Sequence, residues 1–149
     1  MTDIPNFDMI AKAHGHTCPG IALGYKIAVV AAKWSGTETN IKVLSHSTRC
    51  PLDALKQTFD VRTHPERLTV EDTNTVSFVL EKPDGSKLLI DEIPGTKLTS
   101  DELHTLKGKI SAKTATEEEI KRHTEIQNEL LLVMLNTPNE KLFTVRESK

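Results

Sequence analysis

The sequence predicts a single α+β domain over residues 1–149, in which a mixed or antiparallel sheet with a β-hairpin packs against several helices. Three observations lead to this fold class. Two β-rich runs flank a Pro-Asp-Gly turn at residues 83–85, a pattern typical of a hairpin. Helical patterns occur on both sides of that hairpin. The strands and helices do not alternate regularly, as they would in a parallel α/β fold.

The first half of the chain is predicted to contain three helices and a strand. A short helical pattern covers residues 8–13. A longer helix is predicted from Pro19 to about Trp34, because proline suits the first helical position and apolar residues supply its body. Residues 41–44 are predicted to form a short strand, and a third helix is predicted to begin at Pro51.

The second half is predicted to contain the hairpin, two helices and a last strand. Residues 75–80 and 87–93 form the two arms of the hairpin. Each of the two helices is expected to begin at a capping box, in which Thr and Glu stand three residues apart. The two boxes are Thr99 with Glu102 and Thr116 with Glu119. Residues 142–145 are predicted to form the last strand.

The apolar run at residues 130–135, Leu-Leu-Leu-Val-Met-Leu, lies in the last of these helices. Such a run covers a helix on all sides and requires burial on more than one of them. A chain of this size has a limited core to offer. We therefore expect a homodimer in which a second copy covers part of the run.

Composition and charge exclude several classes of function. The net charge is −2, with lysine and arginine scattered along the chain, so a nucleic-acid-binding surface is not expected. No apolar run approaches the roughly 18 residues of a membrane span, and residues 1–7 lack the features of a signal peptide. We expect a cytoplasmic protein with no nucleic-acid or membrane partner, whose two cysteines are reduced.

The strongest chemical signal comes from histidines and cysteines close to two helix starts. His14, His16 and Cys18 fall within five positions just before the second helix. Cys50 directly precedes a proline-initiated helix, with His46 four residues upstream. A helix N-terminus favours a thiolate over a thiol, and thiolate with imidazole suits zinc better than magnesium or calcium. The predicted ligands of this transition-metal site are His16, Cys18, Cys50, His14 and His46. Zinc is the expected ion, with nickel and iron as alternatives.

Other interpretations of these residues stay open. Either cysteine could be a small buried apolar residue, and either histidine of the first segment could simply bond a carbonyl group. His46 would reach the cluster only if the strand at residues 41–44 ended beside the first loop. His64, His104 and His123 stand in polar surroundings and are expected at the surface. The spacing matches no zinc-finger pattern.

Residues 14–26, His-Gly-His-Thr-Cys-Pro-Gly-Ile-Ala-Leu-Gly-Tyr-Lys, closely resemble the opening motif of the FmdE family of formylmethanofuran dehydrogenase proteins, roughly HGHxCPGxxLGxR. The order of predicted elements also resembles the core domain of that family. The resemblance implies an α+β core, homodimers, and a metal site that includes His16 and Cys18. Cys50 falls where the family has a cysteine ahead of its second helix, and His14 would be a ligand or an orienting group.

Two segments depart from the family pattern. Relatives have an acidic, Asn-containing stretch before the second cysteine, whereas residues 45–49 of this chain are Ser-His-Ser-Thr-Arg. Residues 60–68 lack the further cysteine and the Gly-Lys-Gly-Asn segment of the family. Since no cysteine follows Cys50, the C-terminal zinc ribbon of some relatives is not expected.

Three functions are consistent with these features. The first is a transition-metal-binding protein resembling FmdE, either an accessory component of a larger oxidoreductase complex or a small metalloenzyme whose substrate the sequence does not name. The second is a redox protein in which Cys18 and Cys50 cycle between dithiol and disulfide. The third is a structural metal site in a dimeric interaction module, which four protein ligands would close, whereas a catalytic site keeps an open position.

Overall fold

A computed structural model describes residues 6–14, 19–48, 50–93 and 101–148. The helices in these ranges are α1 (Phe7–His14), α2 (Pro19–Ser35), α3 (Cys50–Thr58), α4 (Asp101–Ser111) and α5 (Glu117–Asn136). The strands are β1 (Lys42–Ser45), β2 (Leu68–Val70), β3 (Ser77–Glu81), β4 (Lys87–Glu92) and β5 (Phe143–Ser148). Each helix and strand predicted from the sequence is therefore present, with bounds that differ by a few residues.

The described strands form one mixed sheet in the order β2-β1-β3-β4-β5. β1 and β2 are parallel, and the other neighbouring pairs are antiparallel. This confirms the predicted α+β class with a mixed sheet. β3 and β4 form the predicted hairpin, and Gly85 in its turn has a φ of +91°, which glycine adopts without the strain that a Cβ would cause.

The strand β2 was not predicted from the sequence. It has only three residues and lies at the sheet edge, paired with β1. Three residues are too few to show the alternation of apolar and polar side chains that marks a strand, and Thr69 and Val70 are both exposed. Because α3 lies between β1 and β2 in the chain, these three elements form one βαβ unit inside a largely antiparallel sheet.

Helices cover one face of the sheet. Alternate side chains of a strand point to opposite faces, and those on the covered face belong to the main core cluster. They are Val43, Phe78, Leu80, Leu88 and Ile90. The helix α2 contacts α1, α3, α5 and β4, which explains why its sequence is apolar on most sides.

The apolar run at residues 130–135 is buried on one side of α5. Met134 is 2% exposed, and Leu131 and Leu135 pack against the main core. Leu132 and Val133 are 58% and 62% exposed. The expected burial on several sides is therefore not found within the chain itself, because these two side chains point away from the face of α5 that contacts the core.

The start of α5 has the predicted capping box. The side chain of Thr116 accepts a hydrogen bond from the backbone N–H of Glu119, and the Glu119 side chain accepts one from the backbone N–H of Thr116, at 3.1 Å each. The other predicted box includes Thr99, which lies outside the described residues. Its helix, α4, packs against α5 through a separate apolar cluster of Leu103, Leu106, Ile126 and Leu130.

Candidate metal centre

Cys50 is the first residue of α3, as the Cys-Pro sequence predicted. Its side chain is half-buried and packs against the main core, and the two residues that follow, Pro51 and Leu52, are buried. The first turn of α3 also contains Asp53, whose carboxylate forms an ion pair with Arg62. An acidic group at this position stabilises the helix start, and the arginine offsets its negative charge close to the thiol.

The start of α3 lies directly against α2. A Cβ atom at Gly24 of α2 would be 2.7 Å from the Cα of Pro51 and 3.0 Å from the Cβ of Ala54. Real Cβ atoms do not approach backbone atoms this closely, so this crossing requires glycine. Gly24 was not singled out from the sequence by its chemistry, although it lies within the family-like segment, because the requirement comes from a helix distant in the chain.

His46 lies in the turn that leads from β1 to α3. Its backbone N–H donates to the carbonyl of Ser77 at 3.0 Å, and its own carbonyl accepts from the N–H groups of Thr73 and Thr75 at 3.0 and 3.2 Å. The Ser45 hydroxyl donates to the Ser47 carbonyl at 2.6 Å, and both of these serines are buried. The backbone at His46 is therefore held from both sides by the neighbouring strands.

The His46 side chain points toward the residue that follows β2. Its Nε2 atom lies 3.9 Å from a carboxylate oxygen of Glu71, and the imidazole is 26% exposed. β1 and β2 are parallel, so their carboxyl ends meet at one edge of the sheet, and this brings the two residues together. Sequence analysis missed Glu71 because it missed β2.

The structure places only part of the predicted ligand set. His16 and Cys18 lie outside the described residues, as does the side chain of His14, the last residue of α1. Cys50 and His46 are described, at the two ends of the same short connection. Among the described residues there is no group of three His, Cys, Asp or Glu side chains arranged to hold a metal ion. A complete site would need donors from the segment just before α2.

The remaining histidines are away from this connection. His64 is exposed, with its Nδ1 atom 3.4 Å from a carboxylate oxygen of Glu66. His104 is exposed on α4, and His123 is half-buried on α5. The predicted surface position is confirmed for His64 and His104.

Lys26, at the end of the family-like segment, has a structural contact. Its ammonium group donates to the carbonyl of Thr137, the residue after α5. Burial lowers the pKa of Lys26, and the nearby carboxylate of Glu140 acts in the opposite direction. A cation at a helix C-terminus is favourable, so this lysine fastens the end of α5 to α2.

No helix in the described part of the chain has the length and apolar character needed to cross a membrane.

The sequence model of the FmdE family, described as "Molybdenum formylmethanofuran dehydrogenase operon", matches residues 13–144. A solved crystal structure of an FmdE-like protein of tungsten formylmethanofuran dehydrogenase, from Syntrophus aciditrophicus, is similar to this chain, with a TM-score of 0.61 and 16% sequence identity. The similarity covers 95% of this chain and 69% of that one. At this identity it shows a shared fold. No curated protein matches the chain.

Proposed function

Since this chain belongs to the FmdE family, we propose that it binds a transition-metal ion and acts as an accessory protein of a larger oxidoreductase complex. The family's description, which refers to the operon of a formylmethanofuran dehydrogenase, supports the accessory role. The alternative within the same proposal is a small metalloenzyme with its own substrate. Zinc is the proposed ion, because thiolate and imidazole together suit it.

The contact between α2 and α3 at Gly24 is the observation that carries this proposal. Pro19 begins α2 five residues before Gly24, which is about 7.5 Å along a helix axis. Pro51 lies against Gly24 at the start of α3. Cys18 is bonded to Pro19 and Cys50 to Pro51, so the two cysteines join the fold within on the order of 10 Å of each other.

The donor chemistry fits a metal at this place. Zinc bonds to cysteine sulfur at about 2.3 Å and to histidine nitrogen at about 2.0–2.1 Å, and a bound divalent cation supplies the positive charge that keeps a thiol deprotonated. In our proposal His16, Cys18 and Cys50 are ligands, and His14 and His46 complete or orient the set. A ligating histidine usually gives its other ring nitrogen to a carboxylate. Glu71, beside Nε2 of His46, is suited to that part and would leave Nδ1 for the metal.

We expect metal content to depend on Cys50 and not on surface histidines. Metal analysis of protein purified without a polyhistidine tag should find stoichiometric metal in the parent, since a complete site binds tightly. Cys50→Ser should lose most of it, because a neutral hydroxyl replaces a thiolate poorly, and Cys18→Ser should behave in the same way. His64→Gln is the control, because His64 lies on the surface beside Glu66, and it should keep the parent's metal.

Two outcomes would count against this site. A folded Cys50→Ser variant that retains a full equivalent of tightly held metal would show that the ion binds elsewhere. A parent without metal that forms a reversible Cys18–Cys50 disulfide, detected by a mass shift after thiol labelling under oxidising and reducing conditions, would favour the dithiol redox function instead. The same helix contact would then serve to bring two sulfurs together.

A homodimer and a cytoplasmic location are further parts of the proposal. The exposed Leu132 and Val133 show that this chain leaves apolar surface that a second copy could cover. A reducing compartment keeps thiols available as ligands, whereas an oxidising one favours disulfides.

A further inference from the structure

The face of the sheet opposite the helices has an apolar centre. Leu44, Val79 and Leu89 are cross-strand neighbours on β1, β3 and β4 and form one continuous row. Thr69 on β2 and Arg146 on β5 extend the row to both edges of the sheet. The three apolar side chains are half-buried, whereas their neighbours on the helix-covered face are buried.

Two polar rows flank this apolar row, and their charges differ. The row on one side is Lys42, Glu81, Lys87 and Ser148. The row on the other side is Ser77, Asp91 and Thr144. The first row has two lysines against one glutamate and is net positive, whereas the second has one aspartate and is net negative.

We propose that this open face is the dimer interface, where it packs against the same face of a second copy around a twofold axis that runs along the apolar row. This inference rests on the proposed homodimer and names its surface. Such an axis places each apolar row on its counterpart and each positive row over the negative row of the partner. On β4, Lys87 then lies opposite the partner's Asp91. Two sheets that pack in this way lie about 10 Å apart with strands crossing at about 30°.

The size of the face predicts the strength of the dimer. Five strands about 4.8 Å apart, with about five residues each at 3.4 Å, give a footprint of about 400 Å² per copy. A standard interface buries about 800 Å² per partner. The sheet face alone therefore forms a reversible dimer, whose population depends on protein concentration.

The charged rows contribute specificity and a salt response. Within the chain, Lys87 lies 3.7 Å from Glu81, and Arg146 lies 3.8 Å from Asp91. These side chains are 35–70% exposed, so they can turn to a partner that approaches the face. High salt screens such contacts, and the dimer should weaken as the salt concentration rises.

Sedimentation over a wide micromolar range tests the surface with matched variants. The parent should shift with concentration from the 16.6 kDa monomer toward twice that mass. Leu89→Lys, in the middle of the apolar row, should stay monomeric over the whole range. Val133→Lys places the same charge on the exposed apolar part of α5 and should dimerise like the parent. Circular dichroism confirms that each variant is folded.

A charge exchange on β4 decides the orientation and does not depend on Leu89→Lys being folded. Lys87→Glu should weaken the dimer at least several-fold, and adding Asp91→Lys should restore it, because the opposed charges are exchanged in both copies. A parent that is monomeric at every concentration overturns both the homodimer and this inference. A dimer that Val133→Lys disrupts, and that neither Leu89→Lys nor Lys87→Glu affects, leaves the homodimer standing and overturns the sheet face. Metal content, measured on the same samples, tests the metal site separately.

Discussion

Gly24 shows how a single residue can position a site that it does not touch chemically. Its hydrogen in place of a methyl group lets α2 approach the backbone of Pro51, and the residue bonded to Pro51 is Cys50. In a helix interior glycine usually costs stability relative to alanine. The fold accepts that cost here because the close approach sets the start of α3 against α2.

Gly24→Ala should destabilise the protein, although alanine favours a helix. The gain in helix propensity is about 1 kcal/mol, whereas forcing a methyl group into a packed contact typically costs about 1–3 kcal/mol. At 2.7 Å from a backbone atom the upper part of that range applies, so we expect a net loss of about 1–2 kcal/mol. Urea unfolding followed by the fluorescence of Trp34 measures this, since it is the only tryptophan in the chain.

Gly108→Ala is the matched control for this substitution. Gly108 lies within α4, and a Cβ there meets nothing within 4 Å. The same change should therefore stabilise the protein by about 0.5–1 kcal/mol. If both variants were stabilised, the close contact between α2 and Pro51 would be wrong, and the support it gives to the metal site would be lost.

The pair of helices α4 and α5 is held together mainly by surface charges and a small apolar cluster. Lys109 donates to Glu119 at 2.5 Å, and Arg122 donates to Glu102 at 2.8 Å. The hydrogen bond from Arg122 lowers the pKa of Glu102, and the one from Lys109, helped by Thr116, lowers that of Glu119. Each ion pair links one helix to the other, so the two act on the packing of the elements and not on their local helicity.

The stabilisation from these ion pairs should disappear in acid. A carboxylate whose pKa is lowered by folding stabilises the folded state above its unfolded pKa of about 4.5, and that contribution is lost as the pH falls through the lowered folded value. Arg122→Gln should therefore lower the thermal unfolding midpoint modestly at pH 7. The difference from the parent should vanish in strong acid and shrink in high salt.

Lys107→Gln is the control, because it removes the same charge from the exposed side of α4. It should change the midpoint less than Arg122→Gln at pH 7. Equal effects from the two substitutions, or a difference that persists in strong acid, would contradict the assignment of this stability to the ion pairs of Arg122 and Lys109.

At the scale of the whole molecule, local signals predicted the fold well and contacts distant in the chain were missed. Proline at the first position of α2, the capping box at Thr116 and the turn before Gly85 each act over a few residues, and the structure confirms all three. The strand β2 depends on pairing with β1 across α3, and its own residues do not signal it. The position of Cys50 was readable for the same local reason, whereas the pairing of His46 with Glu71 depends on β2.

The core is divided into two apolar clusters, and this predicts unequal stability across the molecule. The main cluster joins the sheet to α1, α2, α3 and the end of α5 and includes many fully buried side chains. The second cluster, between α4 and α5, is much smaller, and its buried members Leu103 and Leu106 are each still 7% exposed. Since opening free energies follow buried apolar contacts, α4 can open while the sheet stays folded.

Native-state hydrogen exchange should therefore separate the two clusters. Backbone amides of β3, β4 and α2 should exchange only through global unfolding, so their opening free energy equals that measured by urea. Amides of α4 should exchange faster, with an opening free energy well below the global value. Leu106→Ala should accelerate exchange in α4 and leave β3 and β4 nearly unchanged, because Leu106 belongs to the smaller cluster. Leu80→Ala, in the main cluster, should accelerate exchange in both. Equal protection of α4 and the sheet would show that the two clusters unfold as one cooperative unit.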